Sequence, residues 1–212
     1  MIDIEKIKTD AEQFFRVSKW SHDWDHTLRV YNLAVHIWLI EWADMDVVRT
    51  AALLHDMARH EQDMSAWKVC HAEKWAILSK EYLLSNGYPA AFVDKVVHAI
   101  WTHRSRKWNT PSSLEAKILF DADKLDWIWA VWVGRAFLFA GEHHAKLHNP
   151  NPDLSPDAEY TIEDTAYREY VISSSKIKDK LFTHEAKKIA FSRHEYMEEF
   201  FKRLNREVEW RE

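Results

Sequence analysis

Two His-Asp dipeptides are the residues of this sequence whose types and spacing point most directly to metal chemistry. His22-Asp23 lies in the polar stretch KWSHDWDH, and His55-Asp56 follows the apolar run TAALL. Imidazole and carboxylate groups are ligands of Mn²⁺, Fe²⁺, Co²⁺ and Zn²⁺. Placing both groups at the end of an apolar helix is unfavourable unless they are paired or bind a metal. Two interpretations of His55-Asp56 therefore remain open: a metal site, or a polar helix end at which Asp56 pairs with a nearby arginine.

Other candidate ligands lie in two further helical stretches. His26 is close to the start of HTLRVYNLAVHI, where, taken alone, it fits a capping or core histidine as well as a ligand. The stretch LFDADKLDWI places Asp121, Asp123 and Asp126 within an apolar helix. Buried acids at this density need a cation or arginines close by.

The elements that must position these residues are predicted to be helices. Apolar residues recur three and four positions apart along most of the chain, which indicates an all-α fold. The predicted helices cover residues 2–17, 25–42, 45–59, 65–85, 89–103, 112–140, 161–180 and 183–209. Residues 148–159 contain three prolines and are predicted to form a long loop, either a lid or a plain connector.

Composition excludes several classes of function. The chain has 212 residues, a net charge of −5 and one cysteine, Cys70. The charge gives no basic footprint for nucleic acid or for an anionic membrane surface, and one cysteine cannot form an internal disulfide or a thiolate zinc cage. Three glycines leave no glycine-rich phosphate loop. No signal peptide or membrane span is predicted, so the protein is expected to be cytoplasmic.

Four stretches, in this order, carry a resemblance to a known family: HDWDHTLRV, AALLHDMA, KILFDADKLDWI and RHEYMEEFFKR. They resemble the HD-domain superfamily of metal-dependent phosphohydrolases, and within it the YedJ/YpgQ-like subfamily. The resemblance spans about residues 10–205. It implies a single HD-domain helical bundle over residues 1–212, with a metal-binding core at about 20–140 and C-terminal helices at about 160–210.

The resemblance also implies a set of metal ligands. The order H, HD and D of the superfamily matches His26, His55-Asp56 and Asp123, the aspartate that follows alanine. These ligands would hold one divalent ion, with Mn²⁺ expected and Mg²⁺, Fe²⁺, Co²⁺, Zn²⁺ or Ni²⁺ as alternatives. Asp121 and Asp126 are then supporting acids, and His22-Asp23 belongs to local structure or to the orientation of His26.

Catalytic and substrate-binding roles fall on residues around these ligands. Asp56 is a candidate catalytic residue, and His103 matches a subfamily histidine that could donate to phosphate or act as a general acid. Arg29, Lys124 and Arg135 are candidates for neutralising phosphate charge, Arg29 and Lys124 also during catalysis. Each of the three cations could instead pair with a buried aspartate.

The resemblance implies a nucleotide substrate and release of pyrophosphate from ribo- or deoxyribonucleoside triphosphates. Two alternatives remain: a phosphomonoesterase or phosphodiesterase acting on another small phosphate compound, and a non-catalytic HD module that binds a ligand. The expected partners are small phosphate compounds rather than nucleic acid or membrane. The expected state is a monomer or homodimer.

One segment departs from the subfamily pattern. Trp127, Trp129 and Trp132 replace small residues that follow the aspartate cluster in the subfamily. The indoles could narrow a pocket, push helices apart as part of the core, or stack on a base. Packing in the core is the favoured interpretation.

Overall fold

A computed structural model of the protein describes residues 2–15, 24–56, 71–104 and 109–211. Throughout these residues the regular structure is helical and contains no β-strand, so the predicted all-α fold is confirmed. The dipeptide His22-Asp23 lies outside the described residues. The helices are α1 Ile4–Phe15, α2 Trp24–Glu41, α3 Met45–Leu54, α4 His71–Ser85, α5 Ala90–Thr102, α6 Leu114–Asp126, α7 Ala130–Glu142, α8 Ala166–Ile172 and α9 His184–Val208, with 3₁₀ turns at Pro156–Ala158 and Ser174–Asp179.

Two of the predicted helices are divided. The single helix predicted at 112–140 is two helices, α6 and α7, because the chain leaves the helical conformation between them; Trp129 has a φ of 118° and a ψ of −174°. The helix predicted at 161–180 is the short α8 followed by a 3₁₀ turn, Ser174–Asp179. Both breaks lack the proline or glycine that usually ends a helix in sequence.

The chain divides into two compact units. Unit 1 comprises Met1–Asp123 and Phe182–Ala186, and unit 2 comprises Lys124–Leu181 and Lys187–Glu212. Among the described helices, none has the length and apolar character needed to cross a bilayer.

Unit 1 is organised around α3. This helix packs against α1, α2 and α5, and α4 packs against α5. Asp44 caps α3 by accepting a hydrogen bond from the backbone N–H of Val47. Val48, Ala51, Leu53 and Leu54 of α3 have no exposed surface. The second half of α3, residues 50–54, is buried around the whole helix, so the end of the helix lies in the core and delivers His55 there.

Unit 2 has an aromatic core. Phe201 of α9 is 1% exposed and lies 4.6 Å from the Tyr170 ring and 5.5 Å from the Tyr167 ring, both on α8. The Trp132 ring of α7 lies 6.4 Å from Phe201, edge to face. Aromatic rings at such separations contribute both area and orientation to the packing.

Candidate metal centre

The end of α3 places a histidine and a carboxylate inside unit 1. His55 is the residue that ends the helix, and Asp56 follows it in the turn. His55 is fully buried and Asp56 is 3% exposed. Their burial follows from the apolar helix before them, because the surroundings of Leu53 and Leu54 continue around the next two residues.

Two other helices bring further ligand candidates to the same place. His26 lies in the first turn of α2 and is fully buried, and Asp123 lies in the last turn of α6 and is 4% exposed. His26, His55 and Asp123 each have a ligand atom within 4.8 Å of those of the other two. Residues almost one hundred positions apart in the sequence therefore converge in one buried cluster.

The distances within the cluster suit a shared ion. His26 Nε2 lies 3.6 Å from Asp123 Oδ1 and 3.8 Å from Asp56 Oδ2, and His55 Nε2 lies 4.0 Å from Asp56 Oδ2. Two atoms bound to one ion at about 2.1 Å can be at most about 4.2 Å apart. The three separations fall within that limit, and they are too long for direct hydrogen bonds.

A backbone carbonyl fixes the orientation and tautomer of His55. Its Nδ1 lies 2.8 Å from the carbonyl oxygen of Ala52. Because a carbonyl can only accept, Nδ1 carries the proton and Nε2 keeps its lone pair. Nε2 is buried with no hydrogen-bond partner among the described residues. A buried nitrogen lone pair 4.0 Å from the Asp56 carboxylate suits a metal ligand held by an outer hydrogen bond.

Electrostatics favour a cation at this position. The carboxylates of Asp56 and Asp123 both approach His26, and two buried like charges repel each other unless a positive charge lies between them. The C-terminal end of α3 also meets the cluster, and helix C-termini favour positive charge. The residues present therefore fit a divalent ion bound by nitrogen and oxygen.

His103 joins the cluster from the end of α5. It is 2% exposed, and its ring centroid lies 5.4 Å from that of His55. Its Nδ1 donates to the carbonyl oxygen of Ile100, so Nε2 of the neutral ring is an acceptor. Nε2 lies 3.8 Å from Asp56 Oδ1, while Oδ2 of the same carboxylate faces His26 and His55. The two oxygens of Asp56 thus face different neighbours.

The other two aspartates of α6 make different contacts. Asp121 is fully buried and accepts hydrogen bonds from the backbone N–H groups of Phe182 and Thr183 and from the Thr183 hydroxyl. Asp126 is 5% exposed and lies 3.0 Å from Arg135. Asp121 and Asp126 therefore each have protein partners of their own.

The three cations predicted near the substrate lie on different helices. Arg29 is on α2, one turn after His26, and is half-buried. The Lys124 amine lies 6.0 Å from the centre of the Trp127 ring. The predicted helix 112–140 placed Arg135 on the same helix as Asp123, and this is wrong: Arg135 belongs to α7, where its guanidinium pairs with Asp126. The 3.0 Å distance to Asp126 favours the alternative predicted for Arg135, an ion pair with a buried aspartate.

Sequence reasoning did not identify the groups that orient the histidines. The acceptors for His55 and His103 are the backbone carbonyls of Ala52 and Ile100, each three residues earlier. Every residue has a carbonyl, so neither contact leaves a signal in the side-chain pattern. The only available signal is the position of each histidine at a helix end, where carbonyls have no helical partner.

Comparison with known proteins adds a family and relatives. The HD domain family matches residues 23–128. YpgQ of Bacillus subtilis (strain 168) is 31% identical over 208 residues, which cover 96% of this chain and 93% of YpgQ. The matched region includes His26, His55-Asp56 and Asp123.

Solved structures similar to this chain carry the same fold. The crystal structure of Bacillus subtilis YpgQ in complex with ADP has a TM-score of 0.75 and 28% identity, and it covers 97% of this chain and 98% of that one. An HD-superfamily hydrolase from Bacillus thuringiensis has a TM-score of 0.75 and 25% identity, covering 97% and 96% of the two chains.

Proposed function

The chain belongs to the HD domain family, and from that membership we propose that it is a divalent-metal-dependent phosphohydrolase that releases pyrophosphate from nucleoside triphosphates. The observation that carries the proposal is the buried cluster of His26, His55, Asp56 and Asp123. The relatives described as HD-superfamily hydrolases support a hydrolase, and the ADP complex of YpgQ supports a nucleotide ligand.

His26, His55, Asp56 and Asp123 would hold the ion. When bound, a divalent ion lowers the pKa of water and polarises a phosphoryl oxygen. Mn²⁺ remains the proposed ion, because a set of two imidazoles and two carboxylates suits it. The carbonyl of Ala52 keeps the lone pair of His55 Nε2 directed into the cluster.

His103 and Asp56 are the proposed residues for proton transfer. Nε2 of His103 and Oδ1 of Asp56 are 3.8 Å apart, a separation at which both atoms can hydrogen-bond one attacking water molecule. The Ile100 carbonyl holds the proton on Nδ1, so Nε2 of the neutral ring can accept a proton from that water. The general-acid role predicted for His103 then follows proton uptake, because only the imidazolium donates at Nε2.

Arg29 and Lys124 remain proposed phosphate-binding residues. Arg29 lies one helical turn from His26, and Lys124 follows Asp123 directly in the chain. A fixed positive charge stabilises the charge that develops on a phosphoryl group in the transition state. Arg135 has the weaker case, because the Asp126 carboxylate lies 3.0 Å from its guanidinium.

The test is a phosphorus NMR assay of products. Protein stripped with a chelator and reloaded with Mn²⁺ receives ribo- and deoxyribonucleoside triphosphates and monophosphates. We expect pyrophosphate from the triphosphates only, and loss of both bound metal and activity in His55→Ala and Asp56→Ala. His98→Ala is the matched control, since His98 is an α5 histidine whose Nε2 lies 2.9 Å from the Ser112 hydroxyl instead of in the cluster.

Each other product pattern has a distinct meaning. Inorganic phosphate from monophosphates would replace the proposal with a phosphomonoesterase. No product from any nucleotide while metal is bound would replace it with action on another phosphate compound or with a binding module. Full activity of either ligand variant would remove the cluster from the reaction.

A further inference from the structure

Trp129 lies in the link between α6 and α7 with a backbone conformation that tryptophan rarely adopts. Its φ of 118° and ψ of −174° lie in a region populated essentially by glycine. A side chain held there is disfavoured by the local backbone, so surrounding contacts must keep it in place. Residues held in such conformations cluster at ligand-binding and active sites.

Two residues of α9, one turn apart, fix Trp129 from one side. Met197, which has no exposed surface, accepts a hydrogen bond from the Trp129 backbone N–H through its sulfur at 3.0 Å. The Arg193 guanidinium lies 4.4 Å from the centre of the Trp129 ring, which is a cation–π contact. Arg193 is held in turn by the carbonyl of Leu125, to which it donates at 2.7 Å. These four residues all belong to unit 2.

Trp129 keeps a large exposed surface. Trp129 is 47% exposed, whereas Trp132, three residues later, is 5% exposed. Because the guanidinium lies over one face of the indole, a ligand can approach the ring only from the opposite face or the edge. Core packing, the favoured interpretation for the three tryptophans, therefore applies to Trp132 and does not apply to Trp129.

Arg193 holds a positive charge against the Trp129 ring. Burial lowers the pKa of this guanidinium from its usual value, and the Asp126 carboxylate opposes that change. The side chain still carries a full charge near neutral pH, because arginine titrates far above it. An indole already immobilised by a cation on one face loses little conformational entropy when a planar group covers the other.

We propose that the face of Trp129 opposite Arg193 is a stacking surface for a nucleobase. Bases bind to proteins by stacking on aromatic rings, and the interaction tolerates all four bases because each has a π face. A flat ring with a fixed orientation suits a base better than it suits a protein side chain. A protein side chain would lose rotamer entropy when it packed against the ring, whereas a base is rigid. The identification of the stacked ligand as a nucleobase rests on the proposed function.

Isothermal titration of nucleoside diphosphates and of pyrophosphate into the protein tests the proposal. Trp129→Gly removes the indole and suits the backbone, because glycine adopts positive φ freely. We expect affinity for ADP, GDP, CDP and UDP to fall by about 5- to 150-fold in this variant. Affinity for pyrophosphate, which has no base, should be unchanged. Trp129→Phe keeps a ring and should lose less than the glycine variant.

Trp42→Gly is the matched control. Trp42 is also an exposed tryptophan, at 83%, with a positive φ of 60°. Replacing it removes the same side chain at another position of positive φ, and should leave all affinities unchanged. Unchanged nucleotide affinity in Trp129→Gly, an equal loss for pyrophosphate, or a wild-type protein that binds no nucleoside diphosphate would each overturn the stacking surface.

Hydrolysis and metal removal separate this proposal from the proposed function. Nucleotide binding that depends on Trp129 without any hydrolysis would uphold the stacking surface and reject the phosphohydrolase. Hydrolysis by the wild-type protein, together with unchanged nucleotide affinity in Trp129→Gly, would uphold the phosphohydrolase and reject the stacking surface. ADP binding that requires Trp129 both with and without a chelator would uphold the stacking surface whether or not metal is bound.

Discussion

Asp121 and Asp123 are two residues apart on α6, and their carboxylates have different tasks. Asp121 accepts two backbone N–H groups and a hydroxyl just before the start of α9, all within 3.2 Å. Asp123 faces His26 at 3.6 Å. Hydrogen bonds to a charged acceptor stabilise a fold by about 1.5–3 kcal/mol each, and a carboxylate beside another buried carboxylate does not stabilise it.

The first prediction compares Asp121→Asn with Asp123→Asn, in stability without metal and in the amount of metal bound. We expect Asp121→Asn to lower the free energy of unfolding by about 2–3 kcal/mol, because its amide NH₂ replaces an acceptor that faces N–H donors. Asp123→Asn should leave that free energy unchanged or raise it, and should lose bound metal. Urea denaturation in chelator and elemental analysis after dialysis measure the two effects. The opposite order of metal loss would move the ligand to Asp121.

Individual residues of the candidate site could be predicted from the sequence to different degrees. The burial of His55 follows from the apolar run before it, and the HD-domain resemblance placed His26 and Asp123 beside it. Composition and periodicity alone left both open, since distant residues meet only through the tertiary fold. The split roles of the Asp56 oxygens, and the carbonyls that orient the histidines, depend on atomic positions that no spacing encodes.

Helix ends are the elements that position most of this chemistry. His26 is at the start of α2, while His55 and His103 follow the last residues of α3 and α5. The predicted break between residues 85 and 89 contains Gly87, which has a φ of 79°. The break between α6 and α7 could not be predicted, because Trp129 occupies a glycine conformation that its own preference argues against. Contacts from α9 impose that conformation, and they are remote in sequence.

Residues 148–159 form a connector that a buried arginine holds in place. Arg168 of α8 is 1% exposed and donates to the carbonyl oxygens of Asp153 and Ser155, each at 2.7 Å. It also pairs with Asp164 at 2.8 Å, and Asp164 accepts the backbone N–H of Tyr160. The guanidinium satisfies loop carbonyls and a buried acid together. Of the two predicted roles, these contacts favour a fixed connector over a lid.

The second prediction concerns this connector. We expect Arg168→Met to lower the free energy of unfolding by about 3–5 kcal/mol, because the buried Asp164 would lose its charged partner. Hydrogen exchange in residues 148–159 should accelerate in the same variant. Arg203→Met is the control: Arg203 pairs with Glu207 on the exposed surface of α9, and its loss should change stability by less than about 1 kcal/mol. Equal effects of the two substitutions would remove the structural role of Arg168.

At the scale of the whole molecule, the candidate ligands connect distant parts of unit 1. They come from α2, from the end of α3 and from α6, and the positions run from His26 to Asp123. In the unfolded chain these residues are far apart, so an ion bound by all of them binds the folded state alone. Such a ligand stabilises the fold by about 2.7 kcal/mol when its free concentration is one hundred times its Kd.

The third prediction is that removing metal lowers stability selectively in unit 1. We expect a chelator to lower the Tm of the wild-type protein and to accelerate hydrogen exchange in α2, α3 and α6 up to Asp123. Exchange in α8 of unit 2 should change less, because none of the proposed ligands lies in that unit. His55→Ala should melt at the same temperature with and without metal, since it lacks a ligand that the wild type has.

Two results would contradict an ion that links the helices of unit 1. One is a wild-type Tm that does not change when metal is removed, and the other is an equal change in hydrogen exchange in α3 and α8. A change in hydrogen exchange confined to unit 1 would mean that metal binding stabilises unit 1 more than unit 2, and that it does so through α3.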